Sequence, residues 1–292
     1  MTSENTNIIL GGTGHVGKAV AETLLQNNQK VLLITRSEKN KSEWEKKGAK
    51  VEIANINDTD TLTEIFKQGS NLFLLNPPGD ISKNSIEEEK SSLKSILKAI
   101  SESSIKKIVA QSTQGAQKGE AIGDLGILYD MEQELRKTAI PSVFVRAAYY
   151  LSNWDMSLDT AKNENKIISF FPADFILPMV APQDIGKFNA KCLIDEIRET
   201  KVVDFSGPED YSIQDVADAF SEALKKKIEL EIVPKEKWVE TYKNQGFSQV
   251  SAESYANMTA TTLDGKYKKS ENKVRGETSL QFYINHLIEK NT

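Results

Sequence analysis

Through the first half of the chain, short apolar runs alternate with longer stretches in which apolar residues recur every three or four positions. The runs suit strands buried on both faces and the longer stretches suit helices laid over them, so the pattern indicates a parallel sheet covered on both sides. Strands are predicted at Asn7 to Leu10, Lys30 to Thr35, Lys50 to Ile53, Asn71 to Leu75, Lys107 to Gln111 and Ser142 to Val145. Between the first two, Val16, Ala19, Val20, Thr23, Leu24 and Asn27 line one helical face that can lie on the sheet. Asp58 is a predicted N-cap for a helix around Leu62, Ile65 and Phe66, and Ser82 for one through Leu93, Ile96, Leu97 and Ile100.

After Val145 the rhythm changes. Tyr149-Tyr150-Leu151 and Phe170-Phe171-Pro172 interrupt the alternation, a helix is predicted from Asp184 over Ile185 to Ile197, and Val202-Val203-Asp204-Phe205 reads as one more strand returning to the sheet. Beyond Gly207-Pro208 the pattern is mostly helical. The division that follows is a sheet domain over 1–150, rejoined by 184–207, and a smaller domain from 151–183 and 208–292. Neither an internal repeat nor a low-complexity segment is present.

At 292 residues, 39% hydrophobic and 27% charged, the chain can bury a dense core. Its longest apolar runs, such as Ile8 to Leu10 and Val31 to Ile34, fall far short of the roughly 20 residues a bilayer requires. Met1 to Asn5 lacks the basic start and apolar core of a secretory signal, so the expected location is the cytoplasm. The single cysteine, Cys192, reads as a helix core position. A net charge of −5 with cations scattered among anions disfavours nucleic acid as a partner. Lys225-Lys226-Lys227 ends a helix-like stretch, where cations complement the dipole and face water. The two histidines, His15 and His286, have no zinc-like spacing with cysteine, and no metal is expected.

The chemistry concentrates in Gly11-Gly12-Thr13-Gly14-His15-Val16-Gly17, directly after the first strand and directly before an amphipathic helix. Gly12, Gly14 and Gly17 fit G-x-G-x-x-G, and Gly11, Gly14 and Gly17 fit G-x-x-G-x-x-G. Either spacing alone is weak. In a strand–turn–helix context it provides bare backbone, free N–H groups and a positive dipole end for a pyrophosphate, the arrangement of a Rossmann-type doubly wound sheet. The second strand ends in Thr35-Arg36-Ser37, with no acidic residue to take the ribose 2′-hydroxyl of NAD. Arg36, with Ser37 and Lys39 as further donors, suits a 2′-phosphate, so NADP(H) is expected in preference to NAD(H).

Taken with Asn55-Ile56-Asn57-Asp58, Asn76-Pro77-Pro78, Gln111-Ser112-Thr113, Val145 to Asn153, Ala181 to Gly186 and Phe205 to Pro208, this ordered series resembles the NmrA-like group of atypical short-chain dehydrogenases/reductases over nearly the whole chain. The resemblance implies a Rossmann domain with a small, mostly helical C-terminal domain and a cleft between them over the nicotinamide. It places Asn55 and Ile56 beside adenine and Asn76 and Pro77 along the cofactor. Members of this group are either NAD(P)H-dependent reductases of quinones and related electrophiles or non-catalytic sensors of dinucleotide redox state that bind a protein partner.

Ordinary short-chain dehydrogenases use a Tyr-x-x-x-Lys pair after the fifth strand, and this chain departs from that pattern. Tyr129 is followed four residues later by Gln133, and aligning Glu132 and Leu135 with the group's Glu-x-x-Leu puts Asp124 where the tyrosine would be and Leu128 where the lysine would be. Tyr149, Tyr150, Asn153 and Ser112 are the candidate contacts to substrate or nicotinamide. The leading expectation is an NADPH-dependent reductase of a small, planar electrophile, acting as a monomer or homodimer. The rival is a sensor whose segment from Lys243 to Ala256 reorders against a protein partner, and an epimerase-like enzyme is the third reading.

Overall fold

The computed structural model describes residues 5–291, so Met1 to Glu4 of the segment read for a signal lie outside the described residues. The first half runs β1 (Thr6–Ile9), α1 (His15–Gln26), β2 (Lys30–Thr35), α2 (Lys41–Lys46), β3 (Lys50–Ile53), α3 (Thr59–Phe66), β4 (Asn71–Leu74), α4 (Ser85–Ser101), β5 (Lys107–Thr113), α5 (Asp124–Arg136) and β6 (Ser142–Ala147). Next come β7 (Tyr149–Tyr150), α6 (Leu158–Glu164), β8 (Lys166–Ser169), β9 (Ile176–Val180), α7 (Pro182–Ile194) and β10 (Lys201–Ser206). The chain closes with β11 (Asp210–Ser212), α8 (Ile213–Leu224), β12 (Glu229–Ile232), α9 (Trp238–Asn244), α10 (Gln249–Asp264), β13 (Lys273–Arg275) and α11 (Leu280–Lys290).

Eight strands form one parallel sheet in the order β13-β10-β6-β5-β4-β1-β2-β3, and the winding reverses between β1 and β4. The fold is thus a Rossmann-type doubly wound α/β sheet. The unbroken apolar runs are explained by the two-residue period of strands. Ile9, Val31, Leu33, Phe73, Val109, Val143 and Val145 point to one face, against α1, α2 and α7. Their neighbours Ile8, Leu10, Leu32, Ile34, Leu72, Leu74, Ile108 and Phe144 point to the other, against α3, α4 and α5. Outside this sheet, β7, β9 and β11 make a three-stranded sheet and β8 pairs with β12. Helices α6, α8 and α11 with Leu151 and Trp154 enclose a third apolar cluster, and Trp238, Tyr242, Ala252 and Ala256 of α9 and α10 a fourth.

Several local expectations need correction. Asp58 does cap α3, accepting from Thr61 N at 3.1 Å, but Asn84, not Ser82, caps α4 by accepting from Glu87 N at 3.3 Å. Ser82 is instead turned onto Asp80, to which both its N–H and its hydroxyl donate. Proline at a first helical turn loses no hydrogen bond, so α7 starts at Pro182, before Asp184, and it ends at Ile194, short of Ile197. Asp184 does different work: its buried carboxylate accepts from Glu277 N at 2.9 Å, Thr278 N at 2.7 Å and Thr278 Oγ1 at 3.1 Å, tying the chain after β13 to α7. The short strand β13 had too little pattern to be recognised in the sequence. Lys243 to Ala256 is no adaptable loop; it comprises the end of α9, a turn and the first half of α10.

Two packing constraints fix the sheet's flanks. A Cβ on Gly186 of α7 would come 2.3 Å from Ala19 Cβ and 2.9 Å from Ala19 C in α1, so these helices meet backbone to backbone. Glu132 of α5 is fully buried and pairs with Arg146 of β6 through Nε at 2.8 Å and Nη2 at 2.7 Å, while Ser112 Oγ of β5 donates to the same carboxylate at 2.6 Å. Gly186→Val should therefore lower the unfolding free energy by about 1–3 kcal/mol, as overpacking does, measured by urea denaturation. Arg146→Ala, which strands a buried carboxylate, should cost about 3–5 kcal/mol in the same assay, and the double change Glu132→Leu with Arg146→Met should recover much of it.

Candidate functional site

The parallel sheet delivers the candidate residues to one edge. Asn55 and Ile56 follow β3, Arg36 to Lys39 follow β2, the glycine turn follows β1, Asn76 and Pro77 follow β4, Ser112 lies one residue before the end of β5, and Tyr149 to Asn153 follow β6. Those six strands are consecutive neighbours in the sheet, so residues far apart in sequence form a continuous row along its carboxyl edge, centred on the reversal of winding. At about 4.8 Å between strands the row is roughly 24 Å long.

At the centre of the row, Gly11 adopts φ +69°, a left-handed backbone that glycine takes without strain, and its carbonyl accepts from Gly14 N at 3.0 Å. A Cβ on Gly17 would sit 2.2 Å from Gly11 O and 2.7 Å from Gly11 C, so only glycine lets α1 start this close to the end of β1. Gly14 differs: a Cβ there would meet nothing nearer than Gly11 O at 3.5 Å, and its bare backbone faces open space. As the N-cap of α1, Gly14 has no side chain to offer the first-turn N–H groups, and no acidic residue stands in that turn. Val16 and Gly17 are buried, whereas Thr13 and His15 are exposed. The result is a positive helix end with uncommitted donors.

Arg36, Ser37 and Lys39 are exposed beside this turn. Ser37 N bonds Thr35 Oγ1 at 3.4 Å, holding the strand exit, while neither Arg36 nor Lys39 forms an ion pair among the described residues. Asn55 Oδ1 accepts from Asn57 N at 3.0 Å, and Ile56 packs its half-buried side chain on the core. Asn76 Nδ2 donates to the Glu89 carbonyl at 3.2 Å, but Asn76 Oδ1 is buried with no partner among the described residues.

The two tyrosines diverge, as consecutive strand residues must. Tyr149 lies against Trp154 (5.9 Å between ring centres) and Phe171 (6.1 Å) and bonds Asn153; its burial pushes the phenol above its ordinary value. Tyr150 packs on the sheet's first core and looks toward Asp124, and burial, then that carboxyl, push its phenol up as well. Ser112 is buried and its hydroxyl is engaged with Glu132, behind the row. Burial also pushes the Cys192 thiol to about 11, which suits an inert helix residue.

Sequence reasoning missed the junction of α4, α5 and α10. Gly123 N donates to Ser254 Oγ at 3.0 Å, Ser251 Oγ donates to Lys83 O at 2.8 Å, and Ser85 N donates to Ser251 Oγ at 3.3 Å, so α10 is fastened across the loops that follow β4 and β5. Under it Glu89 of α4, 3% exposed, meets Asp124 at the start of α5. One signal was available: Glu89 lies on the same helical stripe as Ser85, Ser92, Leu93 and Ile96, where a carboxylate is out of place. Beyond α10, Phe170 stacks on Tyr242 at 4.2 Å and Phe247 meets Tyr255 at 4.9 Å, an aromatic floor contributed by residues that carry no local pattern.

Among the described residues no group of three or more His, Cys, Asp or Glu is arranged to hold a metal ion, and no helix is long and apolar enough to cross a membrane. Comparison with curated protein sequences finds no match. Solved structures with the same fold include a Citrobacter sp. triphenylmethane reductase complexed with NADP(H), 20% identical, with 97% of this chain and 99% of that one covered at a TM-score of 0.80. An NADPH-dependent quinone oxidoreductase from Escherichia coli complexed with NADPH is 19% identical, with coverage of 97% and 99% and a TM-score of 0.79. A nucleoside-diphosphate-sugar epimerase from Staphylococcus aureus is 18% identical, with coverage of 96% and 99% and a TM-score of 0.78. The NmrA-like family model matches residues 3–284, nearly the whole length, and the chain belongs to the NmrA-like family.

Proposed function

We propose that this chain is a reductase that binds NADP(H) along the carboxyl edge of its main sheet and passes hydride directly to a small, planar electrophile of quinone type. The observation that carries this reading is the uncapped glycine turn at the reversal of winding: Gly17 clamped on Gly11 and Gly14 bare to open space. Those two features fit a pyrophosphate, because they bring backbone N–H groups and the positive end of α1 to it without an intervening side chain. That two proteins of this fold are named as reductases and carry NADP(H) or NADPH supports the reading further.

In this reading Gly11, Gly12, Thr13, Gly14, His15, Val16 and Gly17 hold the pyrophosphate. Arg36, which is exposed and forms no ion pair among the described residues, takes the 2′-phosphate with Ser37 and Lys39, which favours NADP(H) over NAD(H). Asn55 and Ile56 flank the adenine, and Asn76 and Pro77 line the path toward the nicotinamide. The cofactor supplies hydride from its nicotinamide ring. Tyr149, Tyr150 and Asn153 orient a planar substrate at the other end of the row, and Ser112, committed to Glu132, holds the end of β5 in place. Residues 1–150 with 184–207 serve as the dinucleotide-binding unit, and 151–183 with 208–292 as the substrate-binding unit, in a protein we take to act in the cytoplasm.

A dinucleotide sensor that binds a protein partner is the second reading, favoured by the start of α5, which presents Asp124 and Leu128 in place of a Tyr-x-x-x-Lys pair. The same missing tyrosine disfavours epimerase chemistry.

Titration with NADPH and NADH by fluorescence, followed by NADPH consumption across quinones, azo dyes and aldehydes, separates these: turnover supports the reductase, and tight binding without turnover supports the sensor. Gly17→Ala should weaken both dinucleotides at least tenfold, roughly 1.4 kcal/mol, since a Cβ cannot coexist with the Gly11 carbonyl. Arg36→Ala should weaken NADPH by about 1.5–3 kcal/mol and leave NADH nearly unchanged; equal losses would remove Arg36 from the 2′-phosphate.

A further inference from the structure

At the junction of α4, α5 and α10 two acidic side chains face each other. Asp124 opens α5 at the point set by Gly123, whose φ is +54° and whose N–H is held by Ser254. Glu89 faces it from the buried side of α4, and Gly79 N donates to Glu89 Oε1 at 3.0 Å, fixing the carboxyl against the loop after β4. Ionised carboxylates only accept hydrogen bonds, so a hydrogen bond between these two requires a proton on one of them. We propose that Glu89 and Asp124 share one proton and donate it to the substrate after hydride transfer, in place of the tyrosine that this chain lacks.

The surroundings favour a singly protonated pair. Tyr150 of β7 and Tyr255 of α10 face it as neutral phenols, and Glu88, the next residue on α4, adds a further negative charge. Among the described residues no lysine or arginine acts on either carboxyl. Burial, reinforced by the Asp124 charge, pushes Glu89 up to about 7, and burial raises Asp124 as well. Near neutrality such a pair both holds a proton and releases it.

A separate observation directs the pair toward a bound molecule. Asn76, whose Nδ2 is anchored on the Glu89 carbonyl, has a wholly buried Oδ1 that no group among the described residues supplies with a donor. A buried acceptor left open beside the pair is a seat for a donor from outside the chain. Asn76 follows β4 and Tyr150 follows β6, so this wall belongs to the carboxyl-edge row.

The inference deepens the reductase reading, rests on it, and narrows the substrate class. Hydride added to a neutral quinone leaves a hydroquinone monoanion, and a proton must follow. The carboxyl O–H breaks, the oxyanion of the product gains that proton, and the pair, now fully ionised, recovers one from water. Hydride added to a cationic triarylmethyl carbon gives a neutral product with no proton required. A proton-holding pair therefore fits acceptors of the quinone and carbonyl class.

The test compares menadione with crystal violet as acceptors for NADPH, in wild type, Glu89→Gln and Asp124→Asn, with NADPH affinity and thermal unfolding measured alongside. We expect kcat for menadione to fall at least tenfold in both variants, with NADPH affinity held within twofold and any crystal violet reduction within threefold. Wild-type kcat for menadione should fall as pH rises past about 7, and this limb should vanish in Glu89→Gln. Unaltered menadione rates, or equal losses on both acceptors, overturn the proton-donor role and leave the reductase standing. A wild-type rate flat from pH 6 to about 9 also overturns it, even if neither variant folds. NADPH binding with no turnover of either acceptor removes the reductase reading and the donor role with it.

A readout independent of turnover comes from stability. Because the Glu89 carboxyl is raised in the folded state from an ordinary 4.5 to about 7, the native protein binds more protons across that window, and its stability declines as pH climbs through it. Glu89→Gln should lack that decline, and an identical pH dependence in both proteins overturns the shared proton.

Discussion

Everything at the carboxyl edge depends on one close approach, the Cα of Gly17 resting on the carbonyl of Gly11. Because a Cβ there would lie 2.2 Å from that oxygen, α1 begins almost on top of the strand it follows, and its first N–H groups open onto the reversal of winding. A second close approach joins α1 to its other neighbour: Gly186 of α7 has no room for a side chain against Ala19. Two glycines on different helices thus hold the first layer at backbone distance from itself and from the sheet, and the backbone of Gly14 is left uncovered by any side chain.

The opposite layer is organised by buried charge. Glu132 is neutralised by a two-point contact with Arg146 and by the Ser112 hydroxyl, which locks α5 to β5 and β6. In the same layer, Glu89 and Asp124 have no cation among the described residues and are relieved by each other and by the Gly79 N–H. The two solutions have different consequences. A carboxylate with a guanidinium partner stays charged and structural, whereas two buried carboxyls without one favour retaining a proton between them. In the reading proposed here, that difference separates a scaffold glutamate from a working one within the same helix layer.

The roof over this wall is α10, pinned by Ser248, Ser251 and Ser254 to the backbone of the α4 and α5 loops. Small polar side chains at these contacts let α10 lie close while satisfying backbone groups that would otherwise be buried unpaired. The aromatic cluster of Phe170, Tyr242, Phe247 and Tyr255, the last on α10 itself, is gathered from three separate stretches of chain.

Local chemistry made the sheet and the glycine turn legible in the sequence: unbroken apolar runs marked strands covered on both faces, which in the fold send Ile8 and Ile9 to opposite cores, and Gly11, Gly14 and Gly17 declared a strand–turn–helix with bare backbone. Arg36 was readable for the same reason, since its place at a strand end fixes which loop it leaves by. Ser82, Asp184 and the segment from Lys243 to Ala256 were misjudged because several nearby residues could cap or end a helix, and the choice among them is made by contacts from distant chain. The proton-sharing pair, the Arg146 clamp and the open Asn76 oxygen lay beyond any local rule. Each joins residues 13 to 35 positions apart through burial, and burial is a property of the assembled layers, not of the residues that enter them.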